Sequence, residues 1–244
     1  METEEHCTAE RKAEIAGSVA EINAIVEQKK MLRSGSRGSR LVAVSKYKPA
    51  SDIRAAYEAG QRHFGENYVQ ELAEKAHALP TDIQWHFIGR LQSNKCKILA
   101  ANPNLWAVET IEDVGKAQKL DDAWRAAGYS HPLNVYVQIN TSKEENKGGA
   151  EIGDAETVVR GIVDSCRNLR VLGLMTIGSV EGSSQRPNPD FLALVKLRDE
   201  LEAKLGIELE LSMGMSDDFE HALDLGSNNV RVGSRIFGGR PPKN

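Results

Sequence analysis

Short apolar runs alternate with longer amphipathic ones eight times along this chain, and that regularity limits the folds open to it. The runs are Leu41–Ser45, Arg62–Gly65, Gln84–Gly89, Leu105–Glu109, Asn134–Asn140, Val171–Ile177, Glu210–Met213 and Val230–Gly233. Several are rich in Val and Ile and bounded by Gly, Pro, Asn or Ser, as strands covered on both faces are. Between them apolar residues recur at helical spacing: Ala117, Leu120, Trp124 and Ala127; Ala155, Val158, Ile162 and Cys166; Leu194, Leu197, Leu201 and Leu205. A further stripe, Ile15, Val19, Ile22 and Val26, precedes the first run. Eight such alternations in 244 residues predict an α/β protein, a single (β/α)8 TIM barrel with an extra N-terminal helix. Residues 1–40 are read as that helix and its linker packed on the barrel, and 41–244 as the barrel itself. An open doubly wound sheet competes, but its glycine-rich turn is missing: the first run leads into Ser45-Lys46-Tyr47-Lys48-Pro49. Two soft spots stand out, Gly35–Gly38 and the turn-former-rich Ser179–Asn188, the second read as a mobile loop.

Composition narrows the function classes. Thirty-one basic side chains face 35 acidic ones for a net charge of -4, with no basic run, which argues against nucleic acid as a partner. No stretch approaches the roughly 20 apolar residues needed to cross a bilayer. The N-terminus METEEHCTAERK is too acidic and polar for a signal or transit peptide, so the expected location is cytoplasmic, with a mitochondrial fraction left open. Three cysteines without a CxxC pair read as reduced thiols. The six histidines lack metal-ligand spacing, and neither a GxSxG nor a Walker sequence occurs.

In this fold the chemistry sits at the C-terminal ends of the strands. The polar residues at or near those ends are Lys46, Glu66, Asn67, His86, Asn140, Thr176, Ser212, Ser216, Arg231 and Ser234. Lys46 follows LVAVS on the same alternating side as Val42 and Val44. It either snorkels to water or, with its pKa lowered by desolvation and by Lys48, attacks an aldehyde. The segments LSMGMSDDFEHAL and NNVRVGSRIFGG offer a phosphate cradle between the last two strands. There Gly214 and Gly233 would permit close approach, and Ser216 and Ser234 would add hydroxyls. The plainer reading makes Ser216 only a helix N-cap, with Asp217 and Asp218 complementing the helix dipole; a phosphate would require both to face solvent. If Val230 and Val232 face the helices, Arg231 between them points into the barrel mouth and needs a partner: a carboxylate such as Glu66, a ligand, or water at the rim. His86 reads as a hydrogen-bonded core histidine, and Trp85, Trp106 and Trp124 as packing residues.

The motifs VAVSKYKPASDI, HFGENYVQEL, WHFIGRLQSNK, GLMTIGS, LSMGMSDDFEHAL and NVRVGSRIFG, in this order and spacing, resemble the pyridoxal phosphate homeostasis protein family. That family is the single-domain, barrel-only relative of alanine racemase. The resemblance runs from about Leu41 onward, and GRPPKN and SVEGSSQRPN resemble a fungal-type member. It implies a fold-type III pyridoxal 5'-phosphate (PLP) protein. Lys46 would carry PLP as a lysine aldimine, Arg231 would face the pyridine nitrogen, and the phosphate would lie against Ser216, Gly233 and Ser234. Asn67, His86, Met175 and Ser212 fall on positions that line the family's pocket. Two departures are Tyr47, where many members have Thr, and Lys147-Gly148-Gly149 in place of Lys-Ser-Gly. An arginine at the ring nitrogen stays charged and donates, so the nitrogen stays unprotonated and the ring is a restrained electron sink.

The resemblance implies a non-catalytic carrier that buffers PLP, with apo PLP-dependent enzymes as recipients and a monomer as the expected state. The alternative is a PLP-dependent amino-acid racemase with weak activity. Racemisation in the related enzymes needs a second base, a tyrosine from an additional C-terminal domain. Here the sequence ends ten residues after Ser234, leaving no room for that domain, and none of the five tyrosines (Tyr47, Tyr57, Tyr68, Tyr129, Tyr136) lies in such a region. Tyr47 is adjacent to Lys46, and strand neighbours point to opposite faces. A third reading is a PLP-free barrel enzyme acting on a sugar phosphate. Lys46, Lys48, Lys95 and Lys147 leave a second attachment site open.

Overall fold

The computed structural model describes residues 7–31, 38–144 and 147–239. The Gly35–Gly38 soft spot, except Gly38, and the terminal run after Gly239 lie outside them. Eight strands, β1 (Arg40–Val44), β2 (His63–Glu66), β3 (Gln84–Phe87), β4 (Leu105–Ile111), β5 (Leu133–Gln138), β6 (Leu169–Met175), β7 (Glu210–Ser212) and β8 (Asn229–Val232), form a closed barrel in sequence order. Each expected run yields a strand, with its ends displaced by no more than two residues. Closure excludes the open sheet. β8 pairs with β1 in parallel register, Leu41 opposite Val230, Val42 opposite Arg231 and Ala43 opposite Val232.

The strands' outward residues, among them Leu41, Ala43, Val230 and Val232, join the buried layer shared with the helices. The helix Ala155–Ser165 presents Ala155, Val158, Val159 and Ile162 to that layer. Helix Val114–Ala127 presents Ala117, Leu120, Ala123 and Trp124, while Ala127, at its last turn, is exposed. Its ends carry the expected signals: Asp113 accepts from Lys116 N–H at 2.7 Å, and Gly128 takes the left-handed conformation at φ 80°. Before the barrel, helix Ala9–Met31 buries Ile15, Val19, Ile22 and Val26. It lies against helix Ala50–Glu58, against Phe219–Asp224 and against Ser234–Phe237. Burying each such side chain contributes about 1.5–3 kcal/mol. No described helix is long and apolar enough to cross a membrane.

Ser179–Asn188 departs from the expected loop. It contains a short helix, Val180–Ser184, whose N-cap Ser179 accepts from Gly182 N–H at 2.8 Å. Asn188 then caps the helix Pro189–Leu205, accepting from Asp190 N–H at 2.9 Å and Phe191 N–H at 3.3 Å. The small polar residues that resemble loose-loop markers are here helix caps.

Candidate functional site

Hydrogen bonds between strands that are not neighbours in the sheet must cross the barrel interior, and here they form a polar column. At the N-terminal end, Arg40 of β1 holds Glu210 of β7 at 2.6 and 2.9 Å and Tyr136 of β5 at 2.9 Å. Tyr136 also donates to Glu210 at 2.7 Å, and the guanidinium lies 4.7 Å from the Trp106 ring centre. Higher up, the imidazoles of His63 and His86 meet at 2.8 Å, and His86 Nδ1 lies 2.5 Å from Glu109 Oε1. Glu109 accepts from Ser212 Oγ at 2.5 Å and from Asn229 Nδ2 at 3.0 and 3.1 Å. Arg231 then donates to Ser212 Oγ at 2.6 Å and to the Thr176 carbonyl at 2.8 Å.

Burial governs the charges in this column. It pulls His63 down to about 3, helped by His86 and Arg40. Burial likewise lowers His86, against the pull of Glu109, so both rings are neutral. For Glu109 burial opposes ionisation, but the His86 hydrogen bond, Arg231 and Ser212 hold the carboxyl below its ordinary range. Arg40 also loses by burial, yet the Glu210 hydrogen bond keeps its pKa above the usual value.

At the C-terminal mouth the expected residues gather from several strands. Lys46 stands half-buried just past β1, and Asn67, also half-buried, just past β2. Asn67 Oδ1 is buried without a partner among the described residues. Met175 packs with Ala107 and Tyr136 inside the barrel. Arg231, 4% exposed, points inward because Val230 and Val232 take the helix-facing side. β7 and β8 pair at Ser212 opposite Asn229, and above that Arg231 N–H donates to the Gly214 carbonyl at 2.9 Å. Higher still, Gly233 N–H donates to Ser216 Oγ at 3.2 Å, which holds that hydroxyl across the gap. The backbone N–H groups of Ser216 and Ser234 make no hydrogen bond among the described residues. Both ring nitrogens of His86 are taken by protein partners, so only ring carbon is left for a ligand.

Several expectations are corrected. Glu66 does not reach Arg231; it faces the helix layer, where Ser45 Oγ (2.6 Å) and Lys75 Nζ (2.7 Å) bond it. Burial raises its pKa to about 6, against the lowering effect of Lys75. Ser216 is not a helix cap, because the helix starts later, at Phe219. Asp217 faces solvent but Asp218 does not: it is 4% exposed and spends Oδ1 on Met215 N–H at 2.7 Å. Gly214 carries the turn after β7, adopting φ 97° with a missing Cβ that would lie 2.5 Å from Ala222 Cβ. The ammonium of Lys48 turns to the carbonyls of Phe237 (2.9 Å) and Gly239 (2.7 Å). Tyr47 lies beyond the end of β1 at φ 62°, so strand alternation does not set its direction; its phenol meets that of Tyr68.

Sequence reasoning missed Arg40, His63, Glu109, Tyr136, Glu210 and Asn229 as one interior column. The available signal was polar residues two apart on apolar strands, as in Glu210/Ser212 and Asn229/Arg231.

Comparison with known proteins finds the same fold in related chains. The family described as "Alanine racemase, N-terminal domain" matches residues 21–241. The pyridoxal phosphate homeostasis protein of Schizosaccharomyces pombe is 50% identical over 209 residues, covering 85% of this chain and 87% of that protein. Its human counterpart is 52% identical over 210 residues, 82% of this chain and 76% of that protein. The structure of PipY from Synechococcus elongatus with PLP bound superposes with a TM-score of 0.70 at 33% identity, covering 88% of this chain and all (100%) of that one. Alanine racemase from Corynebacterium glutamicum shares the fold, with a TM-score of 0.70 at 17% identity, covering 93% of this chain and 62% of the racemase. The chain therefore belongs to the pyridoxal phosphate homeostasis proteins, within the family of the alanine racemase N-terminal domain.

Proposed function

We propose that this protein binds PLP at the mouth of its barrel and holds it in reserve for release to apo PLP-dependent enzymes. One observation carries the reading: the pairing of β1 with β8 brings Lys46, Arg231 and the Gly233–Ser234 turn to the same mouth. The residues present fit the group. A guanidinium has five N–H donors, and Arg231 spends two side-chain bonds on Ser212 and Thr176, which leaves donors for a ring nitrogen. The Ser216 and Ser234 N–H groups and their hydroxyls, with Gly233 fixing Ser216, suit a phosphate. The partnerless Asn67 Oδ1 is an acceptor at the same rim. Met175, Ser212 and the ring carbons of His86 form the floor.

PLP brings an aldehyde that reacts reversibly with amines, and Lys46 supplies the amine. Arg231 keeps its proton and only donates a hydrogen bond, so the ring nitrogen would stay unprotonated and the site favours storage over carbanion chemistry. The chain is further proposed to act as a monomer in the cytoplasm, with residues 41–244 as the binding barrel and the N-terminal segment as its cover.

Borohydride reduction of the PLP-loaded protein followed by peptide mapping is expected to place the label on Lys46. Lys46→Ala is expected to lose the visible absorption of bound PLP while keeping its circular dichroism; an unchanged band rejects the assignment. Turnover of D- or L-alanine above a Lys46→Ala control would replace storage by racemisation.

A further inference from the structure

Glu109 is wholly buried on β4, and the donors around it converge on its carboxylate. Asn229 can only donate from its Nδ2, and an arginine has no acceptor at all. Because Arg231 must donate to Ser212 Oγ, the Ser212 hydrogen is free to point at Glu109, 2.5 Å away. From the other side, the neutral His86 donates through Nδ1 to Glu109 and accepts from His63 through Nε2. The network thus has a fixed polarity, with Glu109 as its terminal acceptor. Arg231 makes no direct ion pair with a carboxylate among the described residues; its other side-chain bond goes to the neutral Thr176 carbonyl. The second acid acting on it, Asp218, has Oδ1 committed to Met215 N–H, and Glu210 is already matched by Arg40.

We propose that Glu109 is a positioning residue which, through the Ser212 hydroxyl, fixes the orientation of the Arg231 guanidinium and so sets how the cofactor's ring nitrogen is hydrogen-bonded. The inference rests on the reading of Arg231 given above. A glutamine at 109 would remove the charge and present an N–H2 to donors that now meet two acceptor oxygens. The guanidinium would lose its matched anion and its bridging hydroxyl would reorient.

The test loads the protein with PLP carrying 15N at the ring nitrogen and records that resonance with the visible absorption maximum. Glu109→Gln and Ser212→Ala are each expected to displace the resonance, whereas Ser212→Thr, which keeps a hydroxyl, leaves it near the wild-type position. A folded Glu109→Gln protein with a wild-type resonance overturns the inference. Should Glu109→Gln not fold, as judged by circular dichroism, a wild-type resonance in Ser212→Ala overturns it instead. Arg231→Glu separates the two levels. If it moves the resonance and the Glu109 and Ser212 variants do not, only the inference falls; if it leaves the resonance unmoved, the reading of Arg231 falls with it.

Discussion

One missing Cβ shapes the turn after β7. Gly214 combines a left-handed φ of 97° with a neighbour, Ala222, that a side chain would strike. Backbone strain and overpacking each cost about 1–3 kcal/mol, so Gly214→Ala is expected to destabilise the fold by about 2–6 kcal/mol. A urea midpoint equal to that of the wild type would contradict this. His63 gives a second residue-scale prediction. Its folded pKa of about 3 lies below the ordinary 6.5, so the unfolded chain takes up the extra proton. Stability contributed by a neutral His63 is present above 6.5 and is lost as pH falls toward 3. His63→Gln should flatten the dependence of unfolding free energy on pH in that window, measured by denaturant titration at stepped pH; an unaltered slope would sink the idea.

Elements were legible where their signals were local. Strands such as Leu133–Gln138 show their outward face in the alternation of Leu133, Val135 and Val137, and Ile15, Val19, Ile22 and Val26 mark a helix by spacing alone. Helix starts were harder to read. Ser216 has the right chemistry for a cap, yet Asp218 ties back to Met215 N–H and delays the helix to Phe219. Lys46, Arg231 and the Gly233–Ser234 turn could be placed because each ends a strand. Glu109 could not, because its significance lies in partners on β3, β7 and β8 that only barrel closure brings near. Asn188 is a cap with two bonds and almost no exposure. Asn188→Ala is expected to cost about 1 kcal/mol, lowering the thermal midpoint by a few degrees. No shift in calorimetry would mean that the cap contributes nothing.

Inside the barrel, among the described residues, Arg40 and Arg231 balance Glu210 and Glu109 around neutral histidines. Removing one member leaves its partner uncompensated. Glu210→Gln is expected to cost about 2–3 kcal/mol, below the range for fully buried pairs because Arg40 retains some solvent contact. Chemical denaturation of the variant checks this, and a loss near zero would show that water already compensates Arg40.

The Arg40–Tyr136–Glu210 knot has one more consequence. It fills the N-terminal end of the barrel with hydrogen-bonded side chains, so no path runs through the barrel from end to end. Whatever settles beside Lys46 leaves by the doorway it entered, past the paired phenols of Tyr47 and Tyr68. On the proposed reading, loading and unloading would take turns at one threshold, and a recipient would have to stand where the next delivery arrives.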